Sequence, residues 1–170
     1  MVSSCGFQLR SQASWPVQWS PVWVADDVSG TDLSYDLRAE LRAAGAVLAD
    51  TAEQAMSTID LTHDEVGRRV LSVSRQGGPE EYELYQLVKF SFSVNQPQPN
   101  SFPEQRIVVT RDYDYDKNDI LVTERDAERL QVALSDELAQ RIVTQVAHFH
   151  RRSVAIDTAK TDVSPDVVQP

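Results

Sequence analysis

From Tyr82 to Val94 the chain alternates without a break. Tyr82, Leu84, Gln86, Val88, Phe90, Phe92 and Val94 share one parity, with Glu83, Lys89, Ser91 and Ser93 between them. Side chains two apart on a strand share a face, so this is a strand with a core face and a largely polar face. It needs a partner. Gln76-Gly77-Gly78-Pro79 just upstream is a strong turn signal. The run before it, through Ile59, Leu61, Val66, Val70, Leu71 and Val73, keeps an imperfect period of two, broken near His63-Asp64-Glu65. The two runs therefore pair as a long β-hairpin across the glycines.

The flanking segments complete a small domain. Val22, Trp23, Val24 and Ala25, between Pro21 and Asp26, make a short apolar run suited to a buried strand. Ser29-Gly30-Thr31-Asp32 offers a turn and a helix N-cap, Leu33, Leu37, Leu41 and Ala44 follow at helical spacing, and Gly45 is placed to stop the helix. After a proline-bearing loop from Asn95 to Pro103, Arg106–Tyr115 reads as a strand with Ile107, Val109, Tyr113 and Tyr115 on one face. Thr123 can cap a long helix with Asp126 three residues on, and Ala127, Leu130, Leu134, Leu138, Ile142, Val146 and Phe149 form its apolar stripe. The order is β-α-β-β-β-α. The economical solution is an α+β two-layer sandwich, with two helices packed on a four-stranded mixed sheet in which the first helix links parallel strands. We expect residues 1–20 to be an extended lead-in, residues 21–152 a single domain and residues 153–170 a disordered tail without periodicity.

Composition excludes several roles. The net charge is −10 and the pI about 4.7, so a nucleic-acid partner is not expected and any phosphate-rich ligand needs a local basic patch. No run approaches the roughly 18 apolar residues of a membrane-spanning helix. Catalytic signals are weak. Asp112-Tyr113-Asp114-Tyr115-Asp116 resembles the start of a calcium loop. In that register, however, Lys117 and Thr123 stand where glycine and a bidentate glutamate are needed, and a start at Asp114 puts Asp119 and Arg125 there. The carboxylates then line a strand's solvent face while the tyrosines pack. His148 and His150 lie about 200° apart around a helix and cannot share a metal. With Arg151 and Arg152 they read as cations at a helix C-terminus. Cys5, the lone cysteine, has no motif around it, and neither does His63. There is no glycine-rich phosphate loop and no serine elbow. We expect no enzyme, no cofactor and no metal.

Two features stay open on the residues alone. Arg68, Arg69 and Arg75 lie on or near the hairpin; such arginines are usually solubilising, but in an acidic chain a cluster at a hairpin tip can hold phosphate through paired N–H donors. In a regular strand Arg69 and Arg75 would project from one face and Arg68 from the other. Val2-Ser3-Ser4-Cys5-Gly6 looks like the end of a bacterial lipobox, without the charged and apolar signal regions before it, as expected of a trimmed precursor. The competing reading is a frayed tail with an incidental thiol.

Taken in order, several stretches resemble the LptE family of lipopolysaccharide-assembly lipoproteins, also called rare lipoprotein B. Cys5-Gly6-Phe7-Gln8-Leu9-Arg10 is similar to the family's mature start. Leu37–Leu48 resembles its first helix, Arg75-Gln76-Gly77 through Glu81-Tyr82 its hairpin, and Arg106–Phe149 its last strand and helix. The resemblance covers about residues 5–150. It implies an outer-membrane lipoprotein, lipidated at Cys5, that plugs an LptD-type β-barrel and binds lipopolysaccharide, the pair assembling it at the outer leaflet. Several acyl chains on the cysteine anchor firmly where one anchors marginally. Of the family's basic ligand residues, the arginine before the hairpin glycine falls on Arg75. The lysine near the start of the last helix has no match: Thr123 and Glu124 stand there, with Arg125 next door. Arg75, Arg69, Arg68 and Arg125 are thus the candidate lipopolysaccharide-binding residues. The alternatives are a periplasm-facing lipoprotein scaffold without a lipid ligand and a small periplasmic enzyme.

Overall fold

A computed structural model of the chain describes residues 14–26, 32–95 and 101–161, with side chains as far as Phe149. Strands β1 (Val22–Asp26), β2 (Ser57–Val73), β3 (Pro79–Val94) and β4 (Ser101–Asp114) form one sheet in the order β1-β2-β3-β4. β1 and β2 run parallel with helix α1 (Leu33–Ala43) between them in the chain, and the remaining pairs are antiparallel. Helix α2 (Ile120–Thr161) follows β4. Two helices on a four-stranded mixed sheet, in the order β-α-β-β-β-α, is the expected α+β architecture.

The alternation in β3 is what seats the core. Leu84, Gln86, Val88, Phe90, Phe92 and Val94 are all buried, and the apolar ones meet the buried stripe of α2, Leu134, Leu138, Ile142 and Val146, in one cluster with Leu33, Leu37 and Leu41 of α1. The hydrophobic sum over such a face, not strand propensity, fixes the register, because a slip of one residue would turn every apolar side chain to water. α1 ends in a Schellman motif. Gly45 sits at φ 89°, its N–H donates to Arg42 O (3.0 Å), and Ala46 N–H donates to Leu41 O (2.9 Å).

The imperfect period of β2 has a cause. The register shifts between Leu61 and His63, a bulge at the place where the sequence alternation breaks. Before it Ser57, Ile59 and Leu61 are buried; beyond it no residue of β2 is. The bulge therefore divides the strand into a core half and an arm.

Four local expectations shift. Asp119, not Thr123, caps α2: its Oδ1 accepts from Val122 N–H (3.3 Å). The chain turns earlier than expected because Asp116 Oδ1 accepts from Asn118 N–H (2.8 Å), and Thr123 becomes a buried first-turn residue whose hydroxyl donates to Asp119 O (3.2 Å). α2 also runs on to Thr161, so His148, His150, Arg151 and Arg152 occupy inner turns and not a C-terminal cap. The backbone of Ser153–Thr161, expected to be an irregular tail, is helical; it contains no glycine or proline, and the next proline is Pro165. Finally, the lead-in reaches into the core. Trp15, just before the turn Val17–Trp19, and Trp19, its last residue, are 2% and 4% exposed, and both rings touch Phe92, with centroids 6.1 and 4.8 Å away. Trp15 N–H donates to Ala44 O (2.9 Å). Cys5 lies outside the described residues, as do residues 162–170.

Candidate functional site

The arm of the hairpin carries the candidate residues, and its tip is built by glycine. Gly77 N–H donates to Ser74 O (2.9 Å), closing a turn over Arg75 and Gln76, and Ser74 N–H donates to Gly78 O (2.7 Å). Gly77 takes φ 82°, a left-handed value that costs other residues about 1–2 kcal/mol. Arg75 is exposed at the apex and makes no ion pair or hydrogen bond among the described residues. The simple parity that put Arg69 and Arg75 on one face fails, because the register shifts again between Val70 and Ser72 and between Ser72 and Val73. Arg75 belongs to the turn, not to a face of the strand.

The other arginines divide by what they touch. Arg68 lies on the helix-facing side of the arm, opposite Leu84. Its guanidinium sits 5.3 Å from the Tyr82 ring centroid and pairs with Glu124 on α2 at 3.1 Å. Its pKa is raised above the ordinary arginine value, first by Glu124 and then by the Tyr113 hydroxyl. That hydroxyl is buried and makes no hydrogen bond of sound geometry. Arg69 is on the opposite face and pairs with Glu83, its cross-strand neighbour, without donating a well-aligned hydrogen bond. Arg125 is exposed on α2 and, like Arg75, has no partner among the described residues. Two of the candidates are thus already held by carboxylates, and two are free.

The end of the molecule that bears the turn is amphiphilic. Tyr115 N–H donates to Glu80 O (2.8 Å), so the end of β4 and the loop into α2 lie beside the start of β3. There the arm exposes Val70, Leu71 and Val73, and α2 opens with exposed Ile120, Leu121 and Val122, Leu121 at 75%. Leu71 is the extra residue of a bulge. This apolar contribution was not assigned a role from sequence, although the succession Val70-Leu71 breaks the strand period and was the available signal. Lys117 is a further exposed cation in the same loop. Exposed apolar groups beside unpaired cations can hold a molecule with both an anionic and a hydrocarbon part.

The acidic strand carries no ligand set. Tyr113 is buried and stacks on Tyr82 (5.8 Å), while Asp112 and Asp114 face solvent as expected. No group of three or more potential metal ligands converges among the described residues. None of the described helices is long and apolar enough to cross a membrane.

On the open side of the sheet a tyrosine lies across a glycine. A Cβ on Gly67 would lie 2.4 Å from the Tyr85 ring, which crosses this position so that its hydroxyl donates to Glu65 Oε1 (2.8 Å). The Glu65 carboxyl is held below the usual range, first by Tyr85 and then by His63. This group's contribution is complete above the unfolded carboxylate pKa and is lost as pH falls through its lowered folded value. Gly67→Val is expected to push Tyr85 aside and break its hydrogen bond to Glu65. An NMR titration of Glu65 in that variant should move back toward the ordinary carboxylate range; an unmoved titration would mean that Tyr85 does not depend on the glycine.

Comparison with known proteins agrees with this geometry. The family model described as LptE, lipopolysaccharide-assembly, matches residues 20–146. The chain is similar to the solution structure of an uncharacterized lipoprotein B from Nitrosomonas europaea, with 25% identity and a TM-score of 0.69 over 86% of this chain and 93% of that one. It shares its fold with a minor lipoprotein from Acinetobacter baumannii (20% identity, TM-score 0.62, 78% and 94% covered). It also shares it with rare lipoprotein B from Shewanella oneidensis (23% identity, TM-score 0.51, 83% and 98% covered). No curated protein matches the chain. With the family model spanning the sheet, both glycine-ended turns and most of α2, the chain belongs to the LptE lipopolysaccharide-assembly family.

Proposed function

We propose that this protein is an outer-membrane lipoprotein that binds lipopolysaccharide and plugs an LptD-type β-barrel, the two together assembling lipopolysaccharide at the outer leaflet. Membership of the family supports the role in assembly. The observation that carries the binding step is Arg75, exposed and unpaired at the hairpin apex, next to an arm that exposes Val70, Leu71 and Val73. A guanidinium offers a phosphate two parallel N–H donors, and the apolar arm offers the acyl chains a surface. With a net charge of −10 the chain as a whole repels an anionic lipid, so the contact has to be local. Arg125 is the second free cation of this reading. The protein acts by binding, without a catalytic step, and Cys5 is its lipid attachment point.

Arg75→Asp is expected to weaken binding of purified lipopolysaccharide about tenfold or more, the size of a lost charge-assisted hydrogen bond or two. The melting temperature should not change, since Arg75 is exposed and makes no hydrogen bond or ion pair among the described residues. Unchanged affinity in the folded variant would remove Arg75 from the site and favour a scaffold without a lipid ligand. For the partner, cells expressing the full precursor should yield a large β-barrel with the protein, acylated at Cys5 by mass spectrometry. An unacylated protein recovered without a barrel would contradict the placement.

A further inference from the structure

Glu124 stands at the amphiphilic end of the molecule with its carboxylate 3.1 Å from Arg68, an arginine whose other side is already braced by Tyr82. We propose that Glu124 is a built-in competitor for the ligand's phosphate: it occupies Arg68 in the free protein, and a phosphate group of the bound lipid displaces it. This inference rests on the lipid-binding reading given above.

The geometry favours exchange over a permanent bond. Arg68 and Glu124 are 50% and 49% exposed, so Glu124 can turn into water, where hydration replaces most of what it loses, and exposed pairs of this kind are weak. The recorded contact uses one guanidinium nitrogen and one carboxylate oxygen. A phosphate monoester carries more charge and more acceptor oxygens, and it can take two N–H donors at once. The aromatic brace keeps the guanidinium in place when Glu124 leaves, so the cation is presented ready-oriented. The Tyr113 hydroxyl behind it, buried and without a sound hydrogen bond, is consistent with a polar cluster that is incomplete in the free protein. Arg69 differs: its partner Glu83 is 12% exposed and directly opposite on the next strand, so that pair belongs to the sheet. Arg68 is thereby a reserve cation for the site, and Glu124 sets how strongly the site discriminates against weakly charged lipids.

The test measures binding of purified lipopolysaccharide, and of the same lipid after removal of its phosphates, to the full chain and to Glu124→Gln, Arg68→Gln, the double variant and Asp126→Asn. Asp126 is an exposed carboxylate on the same helix that pairs with Arg129 and not with Arg68. Glu124→Gln is expected to bind the phosphorylated lipid about three- to fivefold more tightly, the scale of one exposed ion pair removed from competition. The gain should vanish in the double variant, in Asp126→Asn and with the dephosphorylated lipid. Four outcomes overturn the proposal: no gain in Glu124→Gln while the wild type binds, an equal gain in Asp126→Asn, a gain that survives loss of Arg68, or an equal gain with the dephosphorylated lipid. Absence of binding by every protein, the wild type included, overturns the lipid-binding reading and this inference with it. Circular dichroism melts of each variant keep an unfolded protein from being read as a weak binder.

Discussion

Trp19→Ala is expected to destabilise the domain by about 3–5 kcal/mol, read as a lowered midpoint in urea unfolding. Trp19 is fully enclosed although it stands in a single 3-10 turn ahead of the first strand. Its ring lies 4.8 Å from Phe92 and 6.0 Å from Trp15, and its carbonyl accepts from the buried Ser57 hydroxyl at 2.6 Å. Removing the indole opens a cavity between β3 and the entry turn that neither the sheet nor the helices can close, and it also strips Trp15 and Phe92 of edge contacts. Val17→Ala in the same turn is the control: Val17 is 82% exposed, and its loss should be nearly neutral. Similar effects from the two substitutions would show that the entry turn is not part of the core.

Leu138→Ala should cost about 2–5 kcal/mol. Leu138 is completely buried in the middle of the stripe that α2 lays on the sheet, flanked by Leu134 and Ile142, which are buried to the same degree. Near this point the helix also meets β4 and α1 through polar contacts. Glu137 pairs with Arg111 of β4 and Arg141 of α2, and Ser135 donates to Asp36 of α1 at 2.5 Å. Val132→Ala, on the exposed face of the same helix, tests whether the loss comes from burial or from helix propensity. Alanine is the better helix former, so Val132→Ala should be neutral or slightly stabilising. A comparable destabilisation at both positions would contradict the packing shown here.

What the residues alone determined was whatever depends on a repeated local rule. The parity from Tyr82 to Val94 defined β3 and its core face, the four-residue spacing of Leu33, Leu37 and Leu41 defined α1, and Gly45 and Gly77 marked chain reversals that need positive φ. These are short-range consequences of pleat, helix pitch and the missing Cβ, so they can be read without knowing what lies opposite. The fold class and the family followed from their order.

The tertiary structure decided what a side chain meets. Arg68, Arg69, Arg75 and Arg125 look alike in sequence, yet Glu124 and Glu83 hold the first two and leave the others open, because the bulges of β2 and the start of α2 set which groups come together across the chain. Trp15 and Trp19 read as an approach segment because one turn has no period, and only their contact with Phe92, far along the chain, makes them core. The end of α2 went unread for the opposite reason. Without an apolar stripe a helix leaves no periodic trace, and Ser153–Thr161 continues one simply because nothing in it breaks the backbone ladder. Local geometry is encoded residue by residue, but pairing across the fold is a property of the assembled sheet and the helices laid on it.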